Sequence, residues 1–413
     1  MIHPKMNHIY VGVDLHKEKH VAVVIDCWNE KTLGTFRFAN KPSAFPSFVE
    51  QVKSCTTEGL TPVFGLEDVN GYGRGLSIYL TSEGYAVKSV NPSLANDKRK
   101  SNPQPKKNDN WDARIVAKIL LDELDHLPDA KPQDVYFSLK HCVNRQDSLV
   151  CELTKTKKQL HNELSYHYPS YKKFFTDLTG KTALAFWKEY PSPHCLKDVP
   201  VEDLAEFLRK HSNNCLTVGK AMEIVGCIES DGDTKRGNQG VKDAMIVSYV
   251  RQVDFLKKEI AMVEEQIKEL MDTLDYKLES MTGIELVTAA DFIARIGDIR
   301  RFKNADKLAK YAGIAPYENS SGIRENVKKS KLGDRHLHGL FYDLAIRQLA
   351  VTKGKKEPRN PAMLAYYQSK LDANKTKKQA IVCVMRKLVN VIFGMMKHKT
   401  AYVMPVVEER RVG

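Results

Sequence analysis

Residues 9–27 read IYVGVDLHKEKHVAVVIDC. Two β-branched, apolar runs, IYVGVDL and HVAVVIDC, flank a short charged stretch, which is the pattern of two strands around a tight turn. The first run ends on Asp14. A second apolar run, TPVFGLE (61–67), ends the same way, on Glu67. A third segment, KKNDNWDARIVAKIL (106–120), opens a helix and carries Asp109 and Asp112 in its first turn. Aspartates at i and i+3 share one side of a helix. Carboxylates at two strand ends, joined by such a pair, form a hard, oxygen-rich pocket of the kind Mg²⁺ prefers, with Mn²⁺ as a substitute. In a basic protein this pattern points to metal-assisted chemistry on phosphodiesters.

The remaining elements of the N-terminal region follow from local pattern. GTFRFA (34–39) is a third strand, SAFPSFVEQVKSC (43–55) a helix, GRGLSIYLTSEG (73–84) a short helix, and YAVKSVN (85–91) a further strand. A helix from Trp111 to Leu124 closes the unit. Three antiparallel strands followed by alternating helices and strands predict a mixed α/β sheet of the ribonuclease H-like type. Between Asn91 and Asn108 the chain reads NPSLANDKRKSNPQPKKN. We expect a surface loop there, with Lys98, Arg99, Lys100, Lys106 and Lys107 contacting nucleic acid beside the acids. Asp68 reads as a helix N-cap or surface residue. His16 and His20 sit on a turn, where four-residue spacing does not bring side chains to one face, and carry no expected metal role.

The 413 residues suffice for two or three domains. Lys and Arg number 64 against 51 Asp and Glu, a net charge of +13 that favours a polyanionic partner, DNA or RNA. The basic segments are not amphipathic helices with aromatic anchors, and no apolar run is expected to span a bilayer. The N-terminus enters a strand without a signal-peptide core, so a cytoplasmic protein is expected. The eight cysteines form no CxxC pair. The cluster His194, Cys195, His211, Cys215 and Cys227 fits no zinc spacing well.

Residues 138–175 are helical by pattern and Lys-rich, and 176–240 read as a small helical insert ending in a loop. From Ile246 to Leu274 apolar residues recur at alternating steps of 3 and 4, an a/d seam over four heptads. Either an internal hairpin with 138–175 or a dimeric coiled coil satisfies it. LESMTGIELVTAADFIARIGDIRRF (278–302) resembles a helix-hairpin-helix, with a Gly283-Ile284 turn able to present backbone N–H groups to phosphates. Beyond it, Ser320-Ser321-Gly322 precedes a basic run of Arg324, Lys328, Lys329, Lys331 and Arg335. By itself that triplet is an ordinary turn, and serine is a poor nucleophile without a base or metal.

Taken together, the two constellations resemble the IS110-type transposases, a group that includes the pilin-gene invertases. The resemblance runs through VGVDLHK (11–17), LEDVNGYG (66–73), VNPSLAND (90–97), KNDNWDA (107–113), TGIELVTAADFIARIGD (282–298), FKNADKLAKYAGIAPYENSSG (302–322) and KLGDRHLHGLF (331–341). It implies a RuvC-like domain over 1–130 whose metal site is Asp14, Glu67, Asp109 and Asp112. It implies a helical, coiled-coil linking region over 131–278, and a mostly helical C-terminal domain over 279–413 with Ser321 as nucleophile and Ser320 as the neighbouring candidate. It further implies double-stranded DNA as substrate, a structured non-coding guide RNA, and a homodimer or homotetramer. Two positions depart from the family pattern: Asn108 stands where Thr or Ser is usual, and His338 follows Leu337 where arginine is usual. The competing expectation is a RuvC-like, metal-dependent Holliday junction nuclease that uses water, with Ser321 structural.

Overall fold

The computed structural model describes residues 4–56, 59–68, 71–101, 108–130, 134–315, 317–321, 324–328, 333–352, 354 and 357–405, with the backbone alone for 317–321 and 324–328. Residues up to Phe137 form one compact unit, and those from Ser138 a second.

In the first unit the chain runs β1 (His8–Asp14), β2 (Lys19–Ile25), β3 (Thr32–Ala39), α1 (Phe45–Ser54), β4 (Thr61–Glu67), α2 (Arg74–Ser82), β5 (Ala86–Ser89), α3 (Pro92–Lys100) and α4 (Asp109–Glu123). The strands form one sheet in the order β3-β2-β1-β4-β5. β1, β2 and β3 pair antiparallel, while β1 with β4 and β4 with β5 pair parallel. β1 is central and buried on both faces, which explains its nearly unbroken apolar run. Its odd residues, Ile9, Val11 and Val13, pack with Phe45, Phe48 and Val52 of α1 and Leu76 and Leu80 of α2. On the other face Tyr10 joins Ala113, Val116, Ala117 and Leu120 of α4. Gly12 lies on that second face, where a Cβ would stand 2.1 Å from the Ala113 carbonyl oxygen and 2.2 Å from the Ala117 nitrogen. The missing side chain lets α4 rest directly on the central strand.

One expectation is corrected. Residues 92–100 are helical rather than part of a loop. Asn91 caps α3 by accepting from the Ser93 N–H at 2.9 Å, and Pro92 occupies the first helical position. Proline there costs no hydrogen bond and presets the helical φ, whereas the polar composition of the segment suggests a loop.

The second unit is helical: α5 (Val135–His167, reaching back across the boundary), α6 (Lys181–Glu189), α7 (Val201–His211), α8 (Val218–Asp231), α9 (Gln239–Asp272), α10 (Leu286–Ile296), α11 (Ala305–Tyr311), a hairpin β6 (Tyr317–Ser321) and β7 (Arg324–Lys328), then α12 (Arg335–Leu349), α13 (Pro361–Asp372) and α14 (Lys377–His398). The heptad seam is covered within the chain. Leu160 and Leu164 of α5 share a core with Ile246, Val250 and Val253 of α9. Farther along, Gln146 donates to Glu264 at 3.0 Å, so the two helices run antiparallel. The insert builds an aromatic core on this pair, with Phe174 stacked on Trp187 at 5.7 Å.

Among the described residues one helix, α14, is long and apolar enough to cross a membrane by length and composition alone. Its apolar positions include Ala380, Val384, Leu388, Val389 and Ile392, all fully buried, so that face is used in packing. The Gly283 turn has φ +88 and follows a short 3₁₀ turn, Leu278–Ser280, instead of a helix end. Arg347 of α12 donates to the Gly283 carbonyl at 3.1 Å.

The Gly12 packing gives a stability test. Gly12→Ala should lower stability by about 1–3 kcal/mol or more, because backbone rather than a flexible side chain must move. Gly226→Ala and Gly394→Ala, at helical positions with open space around the added methyl, should instead stabilise by about 0.5–1 kcal/mol. Thermal unfolding of the three variants measures both; equal behaviour would refute the close approach.

Candidate metal centre and serine hairpin

The parallel register of β1 and β4 sets Asp14 directly beside Glu67 at the ends of adjacent strands. α4 begins next to them. Asn108 caps it, accepting from the Trp111 N–H at 2.8 Å, which fixes the first turn holding Asp109 and Asp112. Asparagine thus serves as an N-cap in the position where the family pattern has Thr or Ser.

The four acids differ in solvation. Glu67 is 9 % exposed, Asp14 and Asp112 are 18 % exposed each, and Asp109 is 53 % exposed, at the mouth. Burial pushes the Asp14 carboxyl above the ordinary carboxylate range, partly opposed by His16. It does the same to Glu67, opposed by Arg99. Two basic side chains from the same unit meet this charge. Arg99 donates from Nε to Asp112 Oδ1 at 2.8 Å and from Nη2 to Glu67 Oε2 at 2.7 Å. His16 Nε2 lies 3.0 Å from Asp14 Oδ2 and 3.7 Å from Asp109 Oδ1. The backbone N–H of His16 donates to Nδ1 of buried His20, whose ring burial keeps neutral. Partly desolvated carboxylate oxygens fit a hard divalent ion, and the ligand atoms that lie close enough together to hold one here are those of Asp14, His16 and Asp109.

The other predicted residues fall in several places. Lys98 pairs with Asp122 at 2.8 Å, so with Arg99 it faces acids of its own unit, while Lys100 is exposed. Lys106, Lys107, Lys329 and Lys331 lie outside the described residues. Asp68 binds the following loop, accepting from the N–H of Gly71 at 2.6 Å and of Gly73 at 3.1 Å. Arg335 is exposed at the start of α12.

Ser320 and Ser321 end β6, and Ser321 pairs in register with Arg324, the first residue of β7 that also carries Lys328. Asp334 closes the base of this hairpin by donating its N–H to the Tyr311 carbonyl at 2.7 Å. Gly333, at φ +112, fits there because a Cβ would meet the backbone of Gly313 and Tyr311 at 2.7 Å. His338, at the position that departs from the family pattern, lies 3.3 Å from the Ala312 carbonyl and supports the same base.

Two roles were not legible beforehand. His16 approaches two of the acids. In the second unit Asp147, Asp291 and His336 also converge. There, buried Asp291 binds Arg295 at 3.1 Å and His336 at 2.6 Å, tying α10 to α12. Arg295 in turn donates to Asn144 of α5 at 2.8 Å. Among the described residues, these are the two groups placed to hold a metal, and the His194, Cys195, His211, Cys215 and Cys227 set is not among them.

A sheet with acids at the ends of β1 and β4 and on the packed helix is the layout of a DEDD nuclease or transposase domain. Sequence profiles agree. The DEDD domain of IS110 transposases, described as Transposase, matches residues 11–169, and the Transposase IS116/IS110/IS902 family matches residues 275–368. The chain is 25 % identical over 402 residues to the uncharacterized 44.8 kDa protein of insertion element IS116 from Streptomyces clavuligerus, covering 95 % of this chain and 96 % of that one. It is equally similar to the 42 kDa protein of insertion element IS900 from Mycobacterium paratuberculosis, covering 95 % and 97 %. Over 149 residues it is 30 % identical to the pilin gene-inverting protein of Moraxella lacunata, covering 35 % and 45 %. The chain belongs to the IS110 family of transposases. Its activity class is DNA transposition and recombination, its N-terminal domain is of the RNase H/RuvC-like type, and the family suggests a divalent metal.

Asp14→Asn tests the acid cluster. If Asp14 holds a divalent ion, its loss should remove several kcal/mol of transition-state stabilisation, about 10³-fold or more in strand cleavage. The melting temperature should hold or rise, because a desolvated charge is replaced by a neutral isostere. Cleavage within tenfold of wild type would exclude Asp14 from the centre.

Proposed function

We propose that this transposase cuts and rejoins DNA through a serine–phosphate intermediate, with Asp14, Glu67, Asp109 and Asp112 holding Mg²⁺ and Ser321 as nucleophile. The convergence of three desolvated carboxylates on adjacent strand and helix ends is the observation that carries this reading. Bound there, Mg²⁺ would polarise the scissile phosphate and stabilise charge on the leaving oxygen. Asp14 and Glu67 are rigid ligands because strand register fixes them, and Asp112 because the Asn108 cap fixes its turn. Asp109, at the mouth, faces the substrate side.

Ser321 Oγ attacks phosphorus. The Oγ–P bond forms as the P–O3′ bond breaks, the Oγ proton leaves to solvent or a carboxylate, and the departing 3′ oxygen takes up a proton. A 5′-phosphoserine retains the phosphoester, so the strand can be rejoined to a new partner without a nucleotide cofactor. Residues 1–130 thus supply the acids, 279–413 the serine, and 131–278 the helical link. The basic flank of the serine hairpin, Arg324, Lys328, Lys329, Lys331 and Arg335, serves DNA phosphates, as does Lys100 with Lys106 and Lys107. The resemblance supports assembly as a homodimer or tetramer in which acids and serine come from different protomers, and a structured non-coding RNA as guide. The charge of +13 is compatible with holding both nucleic acids.

The test uses the purified protein, the RNA that copurifies with it, and a nicked suicide DNA substrate. A covalent protein–DNA adduct should form, persist in Ser320→Ala and vanish in Ser321→Ala, and sequencing should recover one defined small RNA. Metal-dependent cutting that survives Ser321→Ala would instead support a junction nuclease using water. Absence of any defined RNA would remove the guide.

A further inference from the structure

Arg99 stands on the last turn of α3 and places two different guanidinium nitrogens on two different acids, one from β4 and one from α4. Its side chain is 30 % exposed, whereas Glu67 is 9 % and Asp112 18 % exposed. The contact is therefore made largely out of water, where charge-assisted hydrogen bonds are strong. His16 performs a similar service for Asp14 and Asp109, but both partners of its longer contact are about half exposed. Arg99 also carries a permanent charge, which His16 does not.

The geometry of a guanidinium and that of a small divalent ion conflict. Mg²⁺ draws its oxygen ligands to about 2.0–2.1 Å and needs their lone pairs pointed at one centre. The Glu67 and Asp112 oxygens at 2.7 and 2.8 Å from Arg99 point instead at N–H groups on a planar fork. An ion bound between these same two oxygens would stand where the guanidinium now lies.

We propose that Arg99 is a counter-ion latch: it holds the Glu67 and Asp112 oxygens between which a divalent ion would bind, and it swings out when that ion takes them. The inference rests on the reading of the four acids as a metal centre. It assigns Arg99 a positioning role at the centre, in place of the nucleic-acid contact expected from its basic neighbours. Without metal, Arg99 holds β4, α3 and α4 together and limits repulsion among the acids. With metal, the same acids exchange a singly charged cation for a doubly charged one.

The experiment is calorimetric titration of Mn²⁺ into the metal-free full-length protein, with melting temperatures recorded before and after. Wild type, Arg99→Gln, Arg99→Lys and Asp112→Asn are compared. Arg99→Gln should bind Mn²⁺ about tenfold tighter than wild type, because no competing cation has to be displaced. Its metal-free melting temperature should fall, and Mn²⁺ should raise it more than it raises that of wild type. Arg99→Lys, which keeps the charge on a single ammonium, should lie between the two in affinity and serves if the glutamine variant does not fold. Wild-type binding that Asp112→Asn abolishes, together with equal or weaker binding in both Arg99 variants, would overturn the latch while leaving the metal centre intact. No Mn²⁺ binding in any of the proteins would overturn the metal centre itself, and the latch with it.

Discussion

The contact between α4 and β1 at Gly12 is the constraint on which the acid site depends. A helix usually stands off a sheet by the length of its side chains. Here the central strand offers no side chain, and Ala113 and Ala117 answer with the smallest ones available. The first turn of α4 is thereby lowered to the level of the strand ends. Asp109 and Asp112 can then meet Asp14 and Glu67, which the parallel register already holds side by side. A larger residue at position 12 would lift the helix and open the pocket, with no change to any carboxylate.

Bringing these acids together has an electrostatic cost. Burial pushes Asp14 and Glu67 toward their neutral forms, and each additional neighbour raises the cost of ionising them. The fold offsets this with basic side chains drawn from short segments next to the strands: His16 from the β1–β2 turn and Arg99 from α3. His16 opposes the rise at Asp14, and Arg99 opposes it at Glu67. Beside Arg99, Lys98 is likewise held by a carboxylate of the same unit, Asp122.

β1 and β4 were legible because apolar runs of seven residues that end on a carboxylate have few alternative readings. The a/d seam of α9 was legible as a seam, but periodicity does not name the partner, and α5 of the same chain covers it. α3 was missed because its lysines and arginine suggested a solvated loop; the Asn91-Pro92 cap was the available signal. The role of Arg99 lay beyond sequence, since nothing local says that a basic residue in a charge run turns inward to carboxylates 32 and 13 positions away. Likewise α14 owes its apolar length to packing in a helical core, and composition alone does not separate that from a membrane span.

Ser321 sits at the register pair that ends β6, on a hairpin whose base is fixed by Asp334 and Gly333. Two chemistries of different origin, a rigid acid cluster and a strand-borne hydroxyl, are proposed to meet on one phosphodiester. The most direct measurement is the rate of serine–DNA adduct formation in Asp112→Asn protein whose Ser321 is intact, with the linked peptide identified by mass spectrometry. If the acids and the serine act on the same phosphate, adduct at Ser321 falls at least about 10³-fold. Adduct forming at Ser321 at the wild-type rate without Asp112 would contradict the shared centre.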